Sequence, residues 1–539
     1  MLLELNNIVK NIGDRRLFAI DKLQINKGDR IGVVGRNGAG KSTLLAILAG
    51  DVQPDEGRVT RNCPAAFISQ LGAPPAGTLK PLAAAEFAVR REYAVHMSGG
   101  ETTRYKIAAA LDGDRPLLLA DEPAANLDIK GRELLQAKLQ GFPGALVMVS
   151  HDRQLLDALC ETIWEIENSV LTVYRGNYSS CREQKENARK NREREYEKYT
   201  AKKSQLEAAV QDRRTRSAAT RKTPARMGNS EARLHKMGNQ KAKASLDKAV
   251  NAMEERLEKL AVVEKPREDP AVAFVFGAAA DLHSKIVVSG EGINKCCGDR
   301  ELFRDAAFAV KNGQKAALIG DNGCGKSTLL AMIVNRAPSV VLAPKARLGY
   351  FAQGMDDLAP AKTLLANVMA ASVHDEAAVR NLLARLLFRR EDVFKPVGVL
   401  SGGERTRVSL AKIIVSDANV LLLDEPTNYL DLSALAALEE VLAAYRGTIL
   451  FVSHDRRFID RVATDLIIAA GGTLRPFAGN YSQYLASRQE RAQPAAAETG
   501  LVLEYRLSAI LARLSVAKDK HEAADLEKEY RRLLAAKKA

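Results

Sequence analysis

The sequence predicts an α/β fold that occurs twice, with the two copies joined by an antiparallel α-helical hairpin. Three observations predict it. A glycine-rich loop ending in Lys-Ser-Thr stands at 35–43 and again at 320–328, each between an apolar strand pattern and a helical one. Equivalent lysines, Lys41 and Lys326, are 285 residues apart, a repeat long enough to hold an insert between two similar domains. The insert itself has heptad spacing: Tyr196, Tyr199, Lys203, Leu206 and Val210 step by three and four, as do Leu246, Val250, Met253, Leu257 and Leu260.

The elements follow in order. Ile31-Gly32-Val33-Val34 reads as a buried strand and Leu44-Leu45-Ala46-Ile47-Leu48 as a helix, with Gly35-Arg36-Asn37-Gly38-Ala39-Gly40-Lys41-Ser42-Thr43 between them. Glycines let main-chain N–H groups curl around phosphates, Lys41 neutralises the β- and γ-phosphates, and Ser42 is placed to ligate Mg²⁺. The second copy follows Ala317-Leu318-Ile319 and reads Gly320-Asp321-Asn322-Gly323-Cys324-Gly325-Lys326-Ser327-Thr328. Apolar strands 117–120 and 421–423 end in Asp121 and Asp424, suited to a Mg²⁺ shell, and the next residues, Glu122 and Glu425, are placed to polarise an attacking water. Gln70 and Gln353 are candidates to sense the metal and the γ-phosphate. His151 and His454 follow Val149-Ser150 and Val452-Ser453, at strand ends, and are expected at the γ-phosphate. Ser98-Gly99-Gly100-Glu101 and Ser401-Gly402-Gly403-Glu404 precede helices with basic residues, and helix N-termini bind anions. A nucleoside triphosphatase with two sites follows, with ATP and Mg²⁺ as the expected cofactors. The expected organisation is a first domain at 1–180, a basic helical hairpin at 181–265, a second domain at 266–490 and a short carboxyl-terminal helical hairpin at 491–539.

Charge narrows the choice of partner. The chain carries a net charge of +14, and residues 181–260 hold 22 Lys/Arg against 12 Asp/Glu. Within that stretch, 211–245 has ten Lys/Arg against Asp212 and Glu231, with Pro224 and Gly228 to break helical continuation. A first helix of about 30 residues would hold this tip roughly 45 Å out. Charge runs are usually solvated surface; charge gathered at the end of a lever is suited to an anionic target. Leu234, His235 and Met237 interrupt the basic run, either as local packing or as contact residues.

Other classes fit poorly. No apolar run approaches the roughly 18 residues of a membrane span, so neither a membrane location nor a transmembrane partner is expected. Met1-Leu2-Leu3-Glu4-Leu5 has no signal pattern, and the six cysteines have no zinc or disulfide spacing, so a reducing cytoplasm is expected. A chromosome-structure ATPase would carry much longer coiled coils or a zinc hook.

Two phosphate loops with their downstream motifs in order resemble the ATP-binding cassette family. The charged linker, Glu-Pro-Thr-Asn-Tyr-Leu-Asp at 425–431, Ser-His-Asp-Arg in both halves, and Gly-Asn-Tyr-Ser at 176–179 and 479–482 resemble its ABC-F subfamily of translation ATPases. The family resemblance implies that Ser98, Gly99 and Gly100 complete the site of Lys326, while Ser401, Gly402 and Gly403 complete that of Lys41. The subfamily resemblance implies a monomer on the 70S ribosome, in the E site, with the linker reaching 23S rRNA and the P-site tRNA. The run 225–236 looks like the Vga-type antibiotic-resistance members, and Arg226, Met227, Arg233, Leu234, His235, Lys236 and Met237 are the implied contact residues. Only 27 residues separate Gln70 from Ser98, against 47 between Gln353 and Ser401. That leaves little room for the arm insertion of housekeeping members. The implied function is ribosome protection from drugs at the peptidyl transferase centre; the alternative is a housekeeping ABC-F factor. Ile12 and Cys297 stand where the family often has an aromatic residue on adenine, which leaves ATP against GTP open.

Overall fold

The computed structural model describes residues 1–539 except 71, 73, 75–76, 95–96, 114, 220–243, 246, 261–262, 264–281, 283, 299, 353–356, 389–390 and 489–539. The chain divides into two units, Met1–Val173 with Val272–Ala539, and Tyr174–Ala271.

The first unit contains both repeats. The first has strands β1 (Leu3–Ile12), β2 (Arg15–Ile25), β3 (Arg30–Gly35), β4 (Glu56–Arg61), β5 (Ala65–Ile68), β6 (Leu117–Asp121), β7 (Ala145–Val149), β8 (Thr162–Glu167) and β9 (Val170–Arg175), in the order β4-β1-β2-β9-β8-β3-β7-β6-β5. The second has β10 (Ile286–Cys297), β11 (Arg300–Lys311), β12 (Lys315–Gly320), β13 (Val340–Leu342), β14 (Leu348–Phe351), β15 (Val420–Asp424), β16 (Thr448–Val452), β17 (Asp465–Ala470) and β18 (Thr473–Ala478). Here the sheet β14-β15-β16-β12-β17-β18 and the small sheet β11-β10-β13 are separate. The one-residue ladder Ala19–Val170 that joins them in the first repeat has a counterpart in the bond from the Arg304 N–H to the Gly472 carbonyl, 2.9 Å.

The central strands are parallel because helices cover their faces, and they read as unbroken apolar runs for the same reason. Every residue of β6, β7, β15 and β16 is buried. Register decides where the chemistry goes. Val149 pairs with both Val33 and Asp121, so β3, β6 and β7 end together. Val452 likewise pairs with Leu318 and Asp424. Open α/β sheets bind ligands in the crevice at these carboxyl ends. The helix Lys41–Ala49 buries Leu44, Leu45, Ile47 and Leu48 against the first sheet, and Lys326–Val334 buries Leu329, Leu330 and Ile333 against the second.

The difference in length before the two Ser-Gly-Gly loops is visible in the fold. Between β5 and Ser98 stands one short described helix, Pro81–Glu86. The second repeat has Leu364–Met369 and Glu376–Arg385 with two short 3₁₀ turns, packed into their own apolar cluster around Val379, Leu382 and Leu383.

The second unit is helical. Tyr178–Ala219 is one helix of 42 residues, and 247–258 is helical as well. No glycine or proline occurs from 178 to 219, and ion pairs one turn apart, such as Arg189–Glu193 and Arg216–Asp212, add a few tenths of a kcal/mol each. The helix is therefore longer than the 30 residues expected, about 63 Å at the usual rise, and Gln211, the expected start of the tip, lies inside it. Arg214 pairs with Glu254 at 2.5 Å, which sets the two helical stretches side by side. Lys203, the polar residue on the seam, is exposed, whereas Leu206 and Val210 are partly covered. The expected contact residues Arg226, Met227, Arg233, Leu234, His235, Lys236 and Met237 lie outside the described residues, as do Gln353 and the carboxyl-terminal hairpin at 491–539.

Candidate nucleotide sites

Each phosphate loop needs glycine for a stated reason. Gly40 and Gly325 have φ near +98° and +99°, and a Cβ at either would lie within 3 Å of Phe18 or Phe303. The lysines that follow turn back into their own loops. The Lys41 ammonium donates to the carbonyls of Gly35 (2.9 Å) and Arg36 (3.2 Å), and Lys326 donates to those of Gly320 (3.0 Å) and Asp321 (2.9 Å). Burial holds Lys41 below the ordinary lysine pKa.

Ser42 lies close enough to Asp121, and Ser327 to Asp424, for each hydroxyl to favour the ionised carboxylate, which brings the expected metal-site pairs together. Burial raises both aspartates above the usual carboxylate range. Asp121 Oδ1, Glu122 Oε1 and His151 Nδ1 are buried without a hydrogen-bond partner among the described residues, and so are Asp424 Oδ1, Glu425 Oε1 and His454 Nδ1. Orphaned buried polar atoms are costly. Six of them, in matching triplets at the two strand ends, fit sites built around an additional group. No cluster of three His, Cys, Asp or Glu side chains able to hold a metal exists among the described residues. One hydroxyl and one carboxylate per site suit Mg²⁺, which takes its other ligands from phosphate and water.

Glu122 and Glu425 have φ of +50° and +49°, a left-handed backbone that costs about 1–3 kcal/mol in a residue of this kind. Their N–H groups donate to Val149 and Val452, 2.9 and 3.0 Å, which holds the turn. The result is the same on both sides: Nε2 of His151 lies 3.4 Å from Glu122 Oε1, and Nε2 of His454 lies 3.4 Å from Glu425 Oε1. Burial pushes the Glu122 carboxyl up to about 8, against the pull of Lys41, and that of Glu425 up to about 7, against Arg132 and Lys326. Burial also pushes both histidines down to about 3, so they are neutral. A high-pKa carboxylate beside a strand-end imidazole can take a proton from water.

The two repeats meet head to tail. The Asn37 side chain donates to the Tyr429 carbonyl (2.7 Å) and its N–H to Asp431 (3.2 Å); Asn322 does the same to Asn126 (3.0 Å) and Asp128 (3.1 Å). A Cβ on Gly403 would come within 2.9 Å of the Asn37 amide, and one on Gly100 within 3.3 Å of the Asn322 amide. Each Ser-Gly-Gly loop thus approaches the opposite phosphate loop. Ser98 and Ser401 cap the helices Gly99–Leu111 and Gly402–Ile414, each in a reciprocal box with Glu101 or Glu404. Not all basic residues of these helices face solvent. Lys106 is buried and donates to the Ser69 and Gln70 carbonyls, and Arg407 is buried over the Phe388 ring. Gln70 is exposed two residues beyond β5, whose Ile68 pairs with Ala120 beside Asp121. Ile12 is exposed at the end of β1 and Cys297 at the end of β10.

Sequence reasoning missed the loop 126–128 and Arg132, and it gave no site role to 429–431, Arg153 or Arg456, which it met only within family motifs. Arg153 makes a buried pair with Glu439 (2.9 Å) and donates to the Leu432 carbonyl (3.1 Å); Arg456 pairs with Glu133 (2.9 Å) and donates to the Ile129 carbonyl (2.9 Å). A signal existed: Leu-Asp stands at the same offset from Asp-Glu-Pro in both halves, and Arg directly follows His-Asp in both.

Comparison with known proteins agrees with this geometry. A family model described as ABC transporter matches residues 19–73 and 303–428, and a second of the same description matches 164–244. The chain is 31% identical over 525 residues to the ribosome protection protein VmlR of Bacillus subtilis, covering 95% of this chain and 93% of that protein. It is 33% identical over 470 residues to the erythromycin resistance ATP-binding protein MsrA of Staphylococcus epidermidis, covering 86% and 96%. Among solved structures, the archaeal ribosome recycling factor aABCE1, in complex with the stalk protein aP1, shares the fold with a TM-score of 0.61 at 20% identity, covering 89% of this chain and 92% of that one. No helix among the described residues is long and apolar enough to cross a membrane. With paired phosphate loops, head-to-tail contacts and these relatives in hand, the chain belongs to the ABC-F subfamily of ATP-binding cassette proteins and is an ATPase that uses ATP with Mg²⁺.

Proposed function

We propose that this ATPase is a ribosome protection protein of the cytoplasm that acts as a single chain. ATP draws the two cassettes together, and the closed form binds the 70S ribosome in the E site. The basic linker, with its tip in the part of 211–245 that follows Ala219 in the sequence, then reaches 23S rRNA and the P-site tRNA and displaces a drug from the peptidyl transferase centre. Arg226, Met227, Arg233, Leu234, His235, Lys236 and Met237 are the proposed contacts.

Bound Mg²⁺ supplies charge neutralisation at the phosphates. Ser42 with Asp121, and Ser327 with Asp424, hold it in this reading, with Gln70 and Gln353 at its edge. Gly35, Asn37, Gly38, Gly40, Lys41 and Thr43 cradle one nucleotide with Ser401, Gly402 and Gly403. Gly320, Asn322, Gly323, Gly325, Lys326 and Thr328 cradle the other with Ser98, Gly99 and Gly100. Glu122 and Glu425 each take the proton of the attacking water, His151 and His454 orient the γ-phosphate, and loss of that phosphate releases the ribosome.

The observation that carries the reading is a basic helical unit, Tyr174–Ala271, that lies in the sequence between the two cassettes, in a chain whose relatives include a ribosome protection protein and a resistance ATPase. The short span before Ser98 favours protection over the second reading, a housekeeping ABC-F factor acting on P-site tRNA. The test is in-vitro translation with purified ribosomes, inhibited by a lincosamide, a pleuromutilin or erythromycin, with and without the protein and ATP. Rescue is expected. ATP-dependent ribosome binding without rescue would favour the housekeeping factor, and no binding would overturn both.

A further inference from the structure

Arg132 breaks the symmetry of the cassette interface. It lies on the helix Ile129–Gln140, one turn after Asp128. Its guanidinium pairs with Asp152 at 3.0 Å, and its Nε donates to the Leu127 carbonyl at 3.2 Å; both side chains of the pair are less than one-fifth exposed. Two segments of the first cassette are thereby tied together. One is the stretch around His151, at the Lys41 site. The other is the loop 126–128, which receives both hydrogen bonds of Asn322 at the Lys326 site. The positive charge of Arg132 acts on Glu425, His454 and Asp455 of the opposite cassette and also on Glu122 of its own, so it stands between the two sites; the hydrogen bonds of Asn322 to the loop it braces are what tie it to the second.

The mirror position is held by Leu435, counted from Asp431 as Arg132 is from Asp128, and it is buried at 2% exposure. Leucine can form neither bond. Asp455, the counterpart of Asp152, caps its own helix through the Phe458 N–H just as Asp152 caps its helix through the Gln154 and Leu155 N–H groups, but the mirror position offers it a leucine in place of an arginine. The loop 429–431, which receives Asn37, therefore lacks the brace that the loop 126–128 has.

We infer that Arg132 is a positioning residue for the second nucleotide site, holding the loop 126–128 of the first cassette in the geometry that receives Asn322, with no equivalent at the first site. The brace makes the second site depend on the first cassette more strongly than the reverse contact does. Because the brace runs through Asp152, next to His151, it also gives the two sites a physical connection.

The test uses the full chain with Glu122→Gln and Glu425→Gln, so that MgATP is bound without turnover. Lys41→Ala is added to leave the second site, or Lys326→Ala to leave the first, and affinity is measured by equilibrium titration with and without Arg132→Leu. Leucine is tolerated at the mirror position, so the substitution is compatible with the fold. The expected result is about tenfold weaker binding at the second site, the scale of one charge-assisted hydrogen bond, and less than twofold change at the first. Arg132→Lys, which keeps the Asp152 pair, should recover part of the loss. Equal weakening in both backgrounds, or none in either, would overturn the inference. It rests on assigning Lys41 and Lys326 to separate sites, and that assignment fails separately if Lys41→Ala leaves two molecules of ATP bound per chain.

Discussion

The two nucleotide sites share one backbone and differ in what surrounds it. Both place histidine 3.4 Å from glutamate, both hold that glutamate in a left-handed turn, and in both the asparagine of the phosphate loop donates to a carbonyl of the opposite cassette. The accepting residues are Tyr429 on one side and Asn126 on the other, both left-handed. The side chain can differ because the carbonyl does the accepting; the backbone cost is higher for tyrosine than for asparagine, which tolerates that region. The differences lie in the braces. Thr427 shares a hydrogen bond with Ser453 at 3.1 Å, where the first cassette has Ala124. Arg132 corresponds in position to Leu435, and Glu439 to Gln136. Symmetry is thus kept where main-chain groups meet nucleotide loops, and lost where side chains hold those loops in place.

The largest effect expected on this comparison comes from Glu122→Gln with Glu425→Gln. ATP hydrolysis should fall by about 10²–10⁴-fold, and the protein should remain on ribosomes when ATP is present; co-sedimentation unchanged by ATP would count against release by hydrolysis. The same pair reports on burial. In nucleotide-free, Mg²⁺-free protein the folded carboxyls titrate near 8 and 7, above the ordinary 4.5. The folded state therefore holds protons that the unfolded chain releases, and the stability this contributes is complete below about pH 4.5 and lost as pH rises through 7 and 8. Glutamine stays neutral, so the double variant should melt above the parent at pH 8.5, with the gap closing towards pH 5. The gap for a single Gln at 122 should keep widening to about pH 8, whereas that for one at 425 should level off near pH 7.

Next in size is the interface. Arg153 and Glu439 are 3% and 2% exposed, whereas Glu133, the acid partner of Arg456, is 52% exposed. Glu439→Ala leaves a buried guanidinium unpaired and should cost about 3–5 kcal/mol. Glu133→Ala should cost less than about 1 kcal/mol. Denaturant unfolding of the two variants checks this, and equal costs would mean that the interface is more symmetric than its side chains. The smallest effect concerns Thr427→Ala, which copies the first cassette. It removes one hydroxyl bond and should cost about 1 kcal/mol, with ATP turnover at the second site moving towards that of the first in a Glu122→Gln background.

Much of the catalytic apparatus was legible because it is local. A loop of nine residues carries the glycines, lysine and serine of each phosphate site, and an apolar run of three or four ends in each Asp-Glu pair. The strands they terminate are short, buried and parallel, so no alternation was needed to find them. The hairpin was legible as a seam, but the length of its first helix was not. Its exposed charged surface has no period that marks an end, and only the absence of glycine and proline from 178 to 219 tells how far it runs.

Sequence alone therefore determined the chemistry: which residues cradle phosphate, which carboxylates stand at strand ends, and that one domain occurs twice. Tertiary structure decided the unequal braces. Arg132 gains its place from Asp152, 20 residues away, and Arg153 from Glu439, 286 residues away. A lone arginine in a helix looks like solvated surface until the opposite cassette removes the water around it. Burial is what turns its charge into a constraint, and burial is set by packing between distant segments, which no local pattern encodes.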